Sequence, residues 1–296
     1  MPSSRRNFLK ASLQTGSALV LGSALPVYSS SKLLQKAFSA SLDSFGLQLY
    51  TLRDELPLQP KEILRKVAGF GYRQLEGYEG PQGLWWGMPP KDFGSYLKNL
   101  GLTMVSSHCD VKTDFTRKAG EAASIGLSYL ISPGVGRQAS LDAYKRIAEQ
   151  FNQYGAICKK QGLRFAYHNH DYPFILQEGQ FPQDIFLNYT DPELVDFEMD
   201  IYWVVTPGQD PEKWLRKHPN RFRLCHVKDR DKGAPLHEAD ASVDLGTGSI
   251  DFPKVLTTAK EQGMRYYIVE QERYLHSTPL KSAEADAAFM KQLRLG

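Results

Sequence analysis

Three residues with the chemistry of divalent-cation ligands stand at the ends of short apolar runs late in the chain. They are Asp200 after Leu194–Met199, His226 after Phe222–Cys225 and Glu270 after Tyr266–Val269. Two carboxylates and an imidazole form an oxygen–nitrogen donor set suited to Mn²⁺, Co²⁺, Zn²⁺ or Mg²⁺, with positions left open for substrate oxygens. Singly, each is equally well read as a strand-end hydrogen bonder or a helix N-cap. Together they weigh more, because buried charge is tolerated chiefly when paired or metal-bound. Gln48, Glu76, His108, His168 and Lys228 end or follow similar runs, with His170 two residues beyond His168. On a strand, residues two apart share a face, so His168 and His170 compete for the roles of ligand and acid–base group. Lys228 shares the face of His226, where its ammonium would stabilise developing negative charge or pair with Asp229 or Asp231. His108 is a further acid–base candidate, and Gln48 and Glu76 read as binders of substrate hydroxyls. Trp203, with Trp85 and Trp86, offers an apolar wall for a sugar ring or ordinary packing.

Such a set needs a scaffold that gathers strand ends. Short apolar runs alternate with longer amphipathic ones: 45–50 then 60–70, 72–77 then 90–100, 102–108 then 115–126, and 128–132 then 138–161. The alternation continues with 163–168 then 181–190, 194–200 then 210–218, 222–228 then 251–262, and 265–270 then 280–294. Gly71, Gly101, Gly126, Gly162 and Gly263 each stand between a helix candidate and the next strand, as left-handed helix caps require. Eight strand–helix pairs over residues 41–296 match the size of one (β/α)8 TIM barrel, whose active site lies at the strand C-termini. An open doubly wound sheet would carry a Gly-rich phosphate turn after its first strand, and Leu47–Asp54 has none. The Gly246-Thr247-Gly248 turn reads as a helix opening, since a lone Gly-x-Gly is a weak phosphate signal. Cys109 and Cys225 adjoin His108 and His226 and so point to the core.

From residue 44 to 292 the chain resembles the xylose-isomerase-like barrels, which include sugar 3-epimerases, inosose dehydratases, dehydroshikimate dehydratases and endonuclease IV. The resemblance is carried by Gly46–Asp54, Ser106-Ser107-His108, Ala166–Tyr172, Asp200–Trp203, Cys225–Asp229, Leu245–Phe252 and Ile268-Val269-Glu270. It implies one divalent metal ion held from strands five to eight, with Asp200, His226 and Glu270 in the last three places. In the first place, where the epimerases carry glutamate, this chain has His168. The symmetric two-glutamate proton exchange of those epimerases is therefore absent, which favours elimination or hydration over epimerisation. The expected activity is that of a lyase/hydratase or isomerase/epimerase abstracting a proton next to a carbonyl, with Glu270 or a strand-five histidine as the base and Lys228 or His108 assisting the departing or returning oxygen. The expected substrate is an unphosphorylated keto-sugar, keto-glycoside or cyclitol. An exported barrel that only binds carbohydrate is the alternative, and an endonuclease IV-like repair enzyme a more distant one.

The first 40 residues read as an address. Ser4-Arg5-Arg6-Asn7-Phe8-Leu9-Lys10 matches the twin-arginine export pattern, and Ala11–Leu25 is too short and too diluted to span a membrane. The expectation is a leader over 1–40 that engages the Tat export machinery and a periplasmic barrel over 41–296. Of 36 basic and 33 acidic side chains, five basic and no acidic ones lie in that leader, so the body carries about −2 and has no nucleic-acid bias. Homo-oligomeric assembly is left open.

Overall fold

A computed structural model of the chain describes residues 41–296 apart from Asp43. The expected leader over 1–40 lies outside the described residues. Eight parallel strands close into a barrel: β1 Gly46–Gln48, β2 Gln74–Tyr78, β3 Thr103–His108, β4 Tyr129–Ser132, β5 Arg164–His168, β6 Val195–Asp200, β7 Phe222–Val227 and β8 Tyr266–Val269. Strand order follows chain order around the ring, and β8 pairs back onto β1 through Gly46↔Ile268 and Leu47↔Val269. The connecting helices are α1 Pro60–Phe70, α2 Pro90–Asn99, α3 Phe115–Ser124, α4 Leu141–Lys160 and α5 Pro182–Tyr189. After β6 come α6 Ile201–Val205 and α7 Pro211–Lys217, then α8 Phe252–Glu261 and α9 Pro279–Gln292. The expected (β/α)8 barrel is thus present; sequence missed α6, the 3-10 turns Leu49–Leu52 and Tyr172–Phe174, and a two-residue ribbon pairing Asp229–Arg230 with Ser242–Val243.

Local chemistry explains where the helices start and stop. Ser140, Asp210, Asp251 and Thr278 accept backbone N–H bonds at the starts of α4, α7, α8 and α9. The five glycines expected after helices all have positive φ, from 68° at Gly101 to 102° at Gly71, where a side chain would be strained. Gly46 has a different reason. A Cβ there would come within 2.6 Å of Ile268 Cδ1, so close β1–β8 pairing requires its absence.

Period-two alternation sorts the barrel interior into layers. Arg164, Asp196 and Tyr129 lie toward the N-terminal end, where Tyr129 Oη donates to Asp196 at 2.8 Å. Above them Tyr129, Ile131, Ala166 and Leu224 form an apolar plug with Tyr266. Gln48, Glu76, Ser106 and Glu198 follow, all completely buried, and the C-terminal mouth holds His108, His168, Asp200, His226 and Glu270. The main apolar core lies outside this ring, between strands and helices, where Tyr72, Phe93, Phe151, Phe165 and Phe186 are buried. Among the described residues no helix is long and apolar enough to cross a membrane.

Candidate active site

The site is built on His226, which β7 delivers with both ring nitrogens facing carboxylates. Nδ1 lies 3.1 Å from Glu270 Oε2 and 3.6 Å from Asp200 Oδ2. Nε2 lies 2.7 Å from Glu76 Oε1 and 3.5 Å from Glu198 Oε2. Asp200, His226 and Glu270 form one group of potential metal ligands, their donor atoms within 4.8 Å of one another. Asp200 serves two roles. Its Oδ1 accepts Trp203 N–H at 3.1 Å and so caps α6, while its buried Oδ2 has no hydrogen-bond partner. That free oxygen, beside an imidazole and a second carboxylate, fits a divalent cation.

His168 joins a second group with His108, Glu198 and His226. The structure therefore divides the four expected ligands into two sets that share His226. Register is the cause, since His168 pairs with Glu198 and Asp200 with His226 across neighbouring strands. His168 Nδ1, 3.3 Å from Glu198 Oε2, is buried without a hydrogen bond. His170 belongs to neither set; its ring lies 5.2 Å from that of His168 and 5.4 Å from that of Trp203, at the edge of the same cavity.

Below this mouth the carboxylates are held by protein groups. Glu76 accepts from Gln48 Nε2 at 2.8 Å and from Ser106 Oγ at 2.6 Å, and His108 Nε2 stands 3.1 Å away. Gln48 and Glu76, expected to meet substrate, lie one layer too deep. Both are completely buried and take one another as partners. Glu198 Oε2, 2.8 Å from His108 Nε2, completes the network. Electrostatics follow from this packing. Burial and the neighbouring Glu76 charge push Glu198 up to about 7, whereas His108, despite burial, is lifted to about 9 by Glu76 and Glu198. Burial works against Glu76 as well, but His108 and His226 hold it well below the usual carboxylate range. His168 is driven well below the usual imidazole range by burial and by His226, and burial lowers His170 too.

Lys228 pairs with neither Asp229 nor Asp231. Its ammonium is buried, 3.4 Å from Glu270 Oε2 and in contact with Glu272, with the Tyr202 and Trp203 rings 4.8 and 5.0 Å away. Although burial opposes its charge, Glu270 and Asp200 keep it protonated. It therefore positions carboxylates and is not among the residues lining the cavity. Glu198, Glu272 and Asn169 were missed in the sequence. Glu198 and Glu272 each stand two residues from a recognised candidate and share its face, which is the signal that would have found them. Asn169 joins the ends of β5 and β6, accepting Asp200 N–H at 3.2 Å and donating to Asp200 O at 3.3 Å.

Above these groups opens a cavity of about 370 Å³ whose wall includes His108, His168, His170, Trp203, Glu270 and Glu272. Trp203 and Tyr50 give it an aromatic side, and Glu79 and Asp110 add further carboxylates. Trp85 and Trp86 are buried, the former packing on Phe93 and donating to Glu121 at 2.8 Å. Cys225 is in the core as expected, while Cys109 is buried yet also borders the cavity. The glycine turn after β7 is closed by the chain itself. Asp229 accepts N–H bonds from Arg230, Gly246, Gly248 and Ile250 at 2.8 to 3.2 Å, which leaves those amides no capacity for a phosphate.

A family model described as xylose isomerase-like TIM barrel matches residues 64–293. An inosose dehydratase from Clostridium perfringens is 31% identical over 147 residues, spanning 45% of this chain and 48% of that protein. The match thus reaches about half the length of this curated relative. A solved sugar phosphate isomerase/epimerase from Parabacteroides distasonis is 30% identical with a TM-score of 0.70, covering 83% of this chain and 92% of that one. The IOLI protein, solved with a zinc atom, shares the fold at 15% identity and a TM-score of 0.69 over 84% of this chain and 97% of that chain. With the closed barrel, the ligand-bearing strand ends and these matches together, the chain belongs to the xylose isomerase-like TIM barrel family.

Proposed function

We propose that the protein is a divalent-metal-dependent enzyme that removes a proton next to a carbonyl in an unphosphorylated keto-sugar, keto-glycoside or cyclitol. The observation that carries this reading is the convergence of Asp200, His226 and Glu270, with the partnerless Asp200 Oδ2, beneath a cavity bordered by imidazoles. A divalent cation on those three residues, with His168 and His170 beside them, would supply Lewis-acid polarisation of the carbonyl. The chain's own groups do the rest. Burial keeps His168 and His170 neutral, so each has a free nitrogen lone pair able to accept the substrate proton. Although burial opposes it, His226 and Lys228 hold Glu270 far below the usual carboxylate range, which suits it to bind cation better than to carry a proton. His108 borders the same cavity and holds its proton, so it can donate to a departing hydroxyl. Trp203 offers a flat apolar face to a sugar ring.

Elimination of water, or its reverse, is favoured over epimerisation. A histidine stands in the place of one of the epimerase glutamates, and the inosose dehydratase is a relative. An unphosphorylated substrate is supported by a wall that, among the described residues, includes Glu79, Asp110, Glu270 and Glu272 but no Lys or Arg, and by the closed glycine turn. The test is a panel of keto-sugars, keto-glycosides and inososes followed by NMR in deuterium oxide with Mn²⁺ or Co²⁺. Solvent deuterium should enter the carbon next to the carbonyl. Asp200→Asn, His226→Asn and Glu270→Gln should each lose metal and activity together, with kcat falling on the order of 10³-fold. Turnover without deuterium in product or recovered substrate would replace proton abstraction with a hydride shift.

Residues 1–40 we propose as a twin-arginine leader that delivers the barrel to the periplasm. Replacing Arg5 and Arg6 together by Lys should leave active enzyme in the cytoplasm. Periplasmic accumulation at the unmodified level would overturn that reading.

A further inference from the structure

The opposite end of the barrel carries a cluster with contrary chemistry. Arg164 at the start of β5, Arg221 and Arg223 at the start of β7, and Arg265 just before β8 line a single cavity of about 380 Å³ together with Asp196 and Glu193. Four guanidinium groups thus face two carboxylates, on a body whose overall charge is about −2. The carboxylates do not balance them. Asp196 is taken by Arg164, which donates from Nη2 at 2.9 Å, and by Tyr129 Oη at 2.8 Å. Glu193 is four-fifths exposed and only approaches Lys159, at 4.0 Å. Among the described residues Arg221, Arg223 and Arg265 have no carboxylate within salt-bridge distance.

Part of their hydrogen-bond capacity is unused. Arg221 donates from Nη1 to Leu187 O and from Nη2 to Thr190 Oγ1, both at 2.7 Å, yet its buried Nε has no partner. Arg223 is fixed through Nη1 alone, to Gly263 O at 2.8 Å and Asn220 Oδ1 at 3.2 Å. The Arg265 side chain is exposed, without a protein partner among the described residues, and its backbone N–H bonds to Arg223 O at 2.9 Å, which places the two arginines side by side at the starts of β7 and β8. Burial of the Arg221 guanidinium disfavours its charge, and Asp196 and Asp191 offset this only in part; with Arg223 and Arg265 unpaired beside it, the cavity has room for a further anion. Planar guanidinium forks match tetrahedral oxyanions through paired N–H···O bonds.

We propose that this N-terminal mouth is a binding site for a phosphate-type oxyanion, separate from the chemistry of the other mouth, with Arg221, Arg223 and Arg265 as its donors. A ligand seated there spans the ends of β7 and β8 and stabilises the barrel without touching the substrate cavity.

The experiment is calorimetric titration and thermal unfolding of the full chain with inorganic phosphate, and with glycerol 3-phosphate as a phosphate monoester, against chloride at matched ionic strength. At a hundredfold excess over Kd, Tm should rise by about 5 °C or more. Binding of phosphate alone assigns the site to the free ion, and binding of both shows that the phosphoryl group is what is read; either result supports the proposal. Because Arg265 is exposed and unbonded, Arg265→Glu should fold with a ligand-free Tm no lower than that of the unmodified protein, its new carboxylate facing the other arginines, and weaken phosphate at least about tenfold. Arg117→Gln, at a surface arginine of α3 that pairs with Glu121 and does not line this cavity, should leave affinity unchanged. No phosphate-specific shift over chloride, or a shift that persists in Arg265→Glu, would overturn the proposal.

Discussion

The two ends of this barrel solve the problem of buried charge in opposite ways. At the C-terminal mouth, four carboxylates lie within 3.6 Å of His226, and Glu198 Oε1 and Asp200 Oδ2 lack partners. At the N-terminal mouth, Arg164, Asp196 and Tyr129 satisfy one another in a compact triad, beside arginines that have no carboxylate partner among the described residues. The plug of Tyr129, Ile131, Ala166 and Leu224 keeps the two apart. Carboxylate–imidazole networks leave lone pairs and protons free to exchange near neutral pH, whereas an Arg–carboxylate pair holds its charges across that range. The fold has placed adaptable groups where a reaction takes place and fixed ones where strands begin.

Replacing Glu198 by Gln tests the first half of that comparison. Its Oε2 lies 2.8 Å from His108 and 3.5 Å from His226, so it orients imidazoles without bordering the cavity. Groups one layer behind metal ligands typically carry 10- to 100-fold in metal affinity or activity. We expect a loss of about that size, with metal titration and kcat falling together while the far-ultraviolet spectrum is unchanged. Activity within twofold of the unmodified enzyme would make the deep layer mere packing.

Asp196→Asn tests the other end, with a smaller effect of a different kind. Removing one partner of a fully buried pair costs roughly 3–5 kcal/mol, but the Arg164 side chain is 36% exposed, so solvent screening reduces this to about 1–2 kcal/mol. Tm should fall by several degrees in a calorimeter, with kcat unaltered by the apolar plug between the mouths. A loss of kcat without loss of Tm would mean that the two ends are coupled.

The comparison also shows what a sequence can reveal. Strand and helix positions were legible because glycine caps punctuate them and apolar runs alternate with amphipathic ones; β7 and β8 each fall within one residue of expectation at the start and end. Asp200, His226 and Glu270 were legible because each interrupts an apolar run. Glu198 was hidden because Met199 and Asp200 follow it, so that it lies inside the run and not at its end. The burial of Gln48 and Glu76 was equally hidden, since strand-end position does not say how far the barrel extends above a residue. Asp229 was recognised only as a neighbour of Lys228, and its closure of the glycine turn depends on chain segments about 20 residues apart meeting in space.

Asp286 sharpens the contrast at its smallest scale. This carboxyl in α9 is completely buried beside the loop after β7, as Asp196 is at the other end, but no cation meets it. Oδ1 accepts Leu245 N–H at 2.8 Å and Oδ2 has no partner. Burial, reinforced by the nearby charges of Asp244 and Asp229 and only partly opposed by the Leu245 N–H, pushes it well above the usual carboxylate range. The folded state therefore binds a proton more tightly than the unfolded chain. Its stabilising effect is complete below the ordinary Asp value of about 4 and declines as pH rises toward the folded value. An asparagine stays neutral throughout, although its NH₂ in place of Oδ2 adds a constant cost. Asp286→Asn should consequently gain on the unmodified protein as pH increases, with a relative rise in Tm of about 2–4 °C between pH 4 and pH 8. The slope is the diagnostic quantity, because the amide's cost shifts the curve without tilting it. A Tm difference that is flat across that range would show that the buried carboxyl carries no charge penalty, and that lone burial costs this fold no more than the paired arrangement at Asp196.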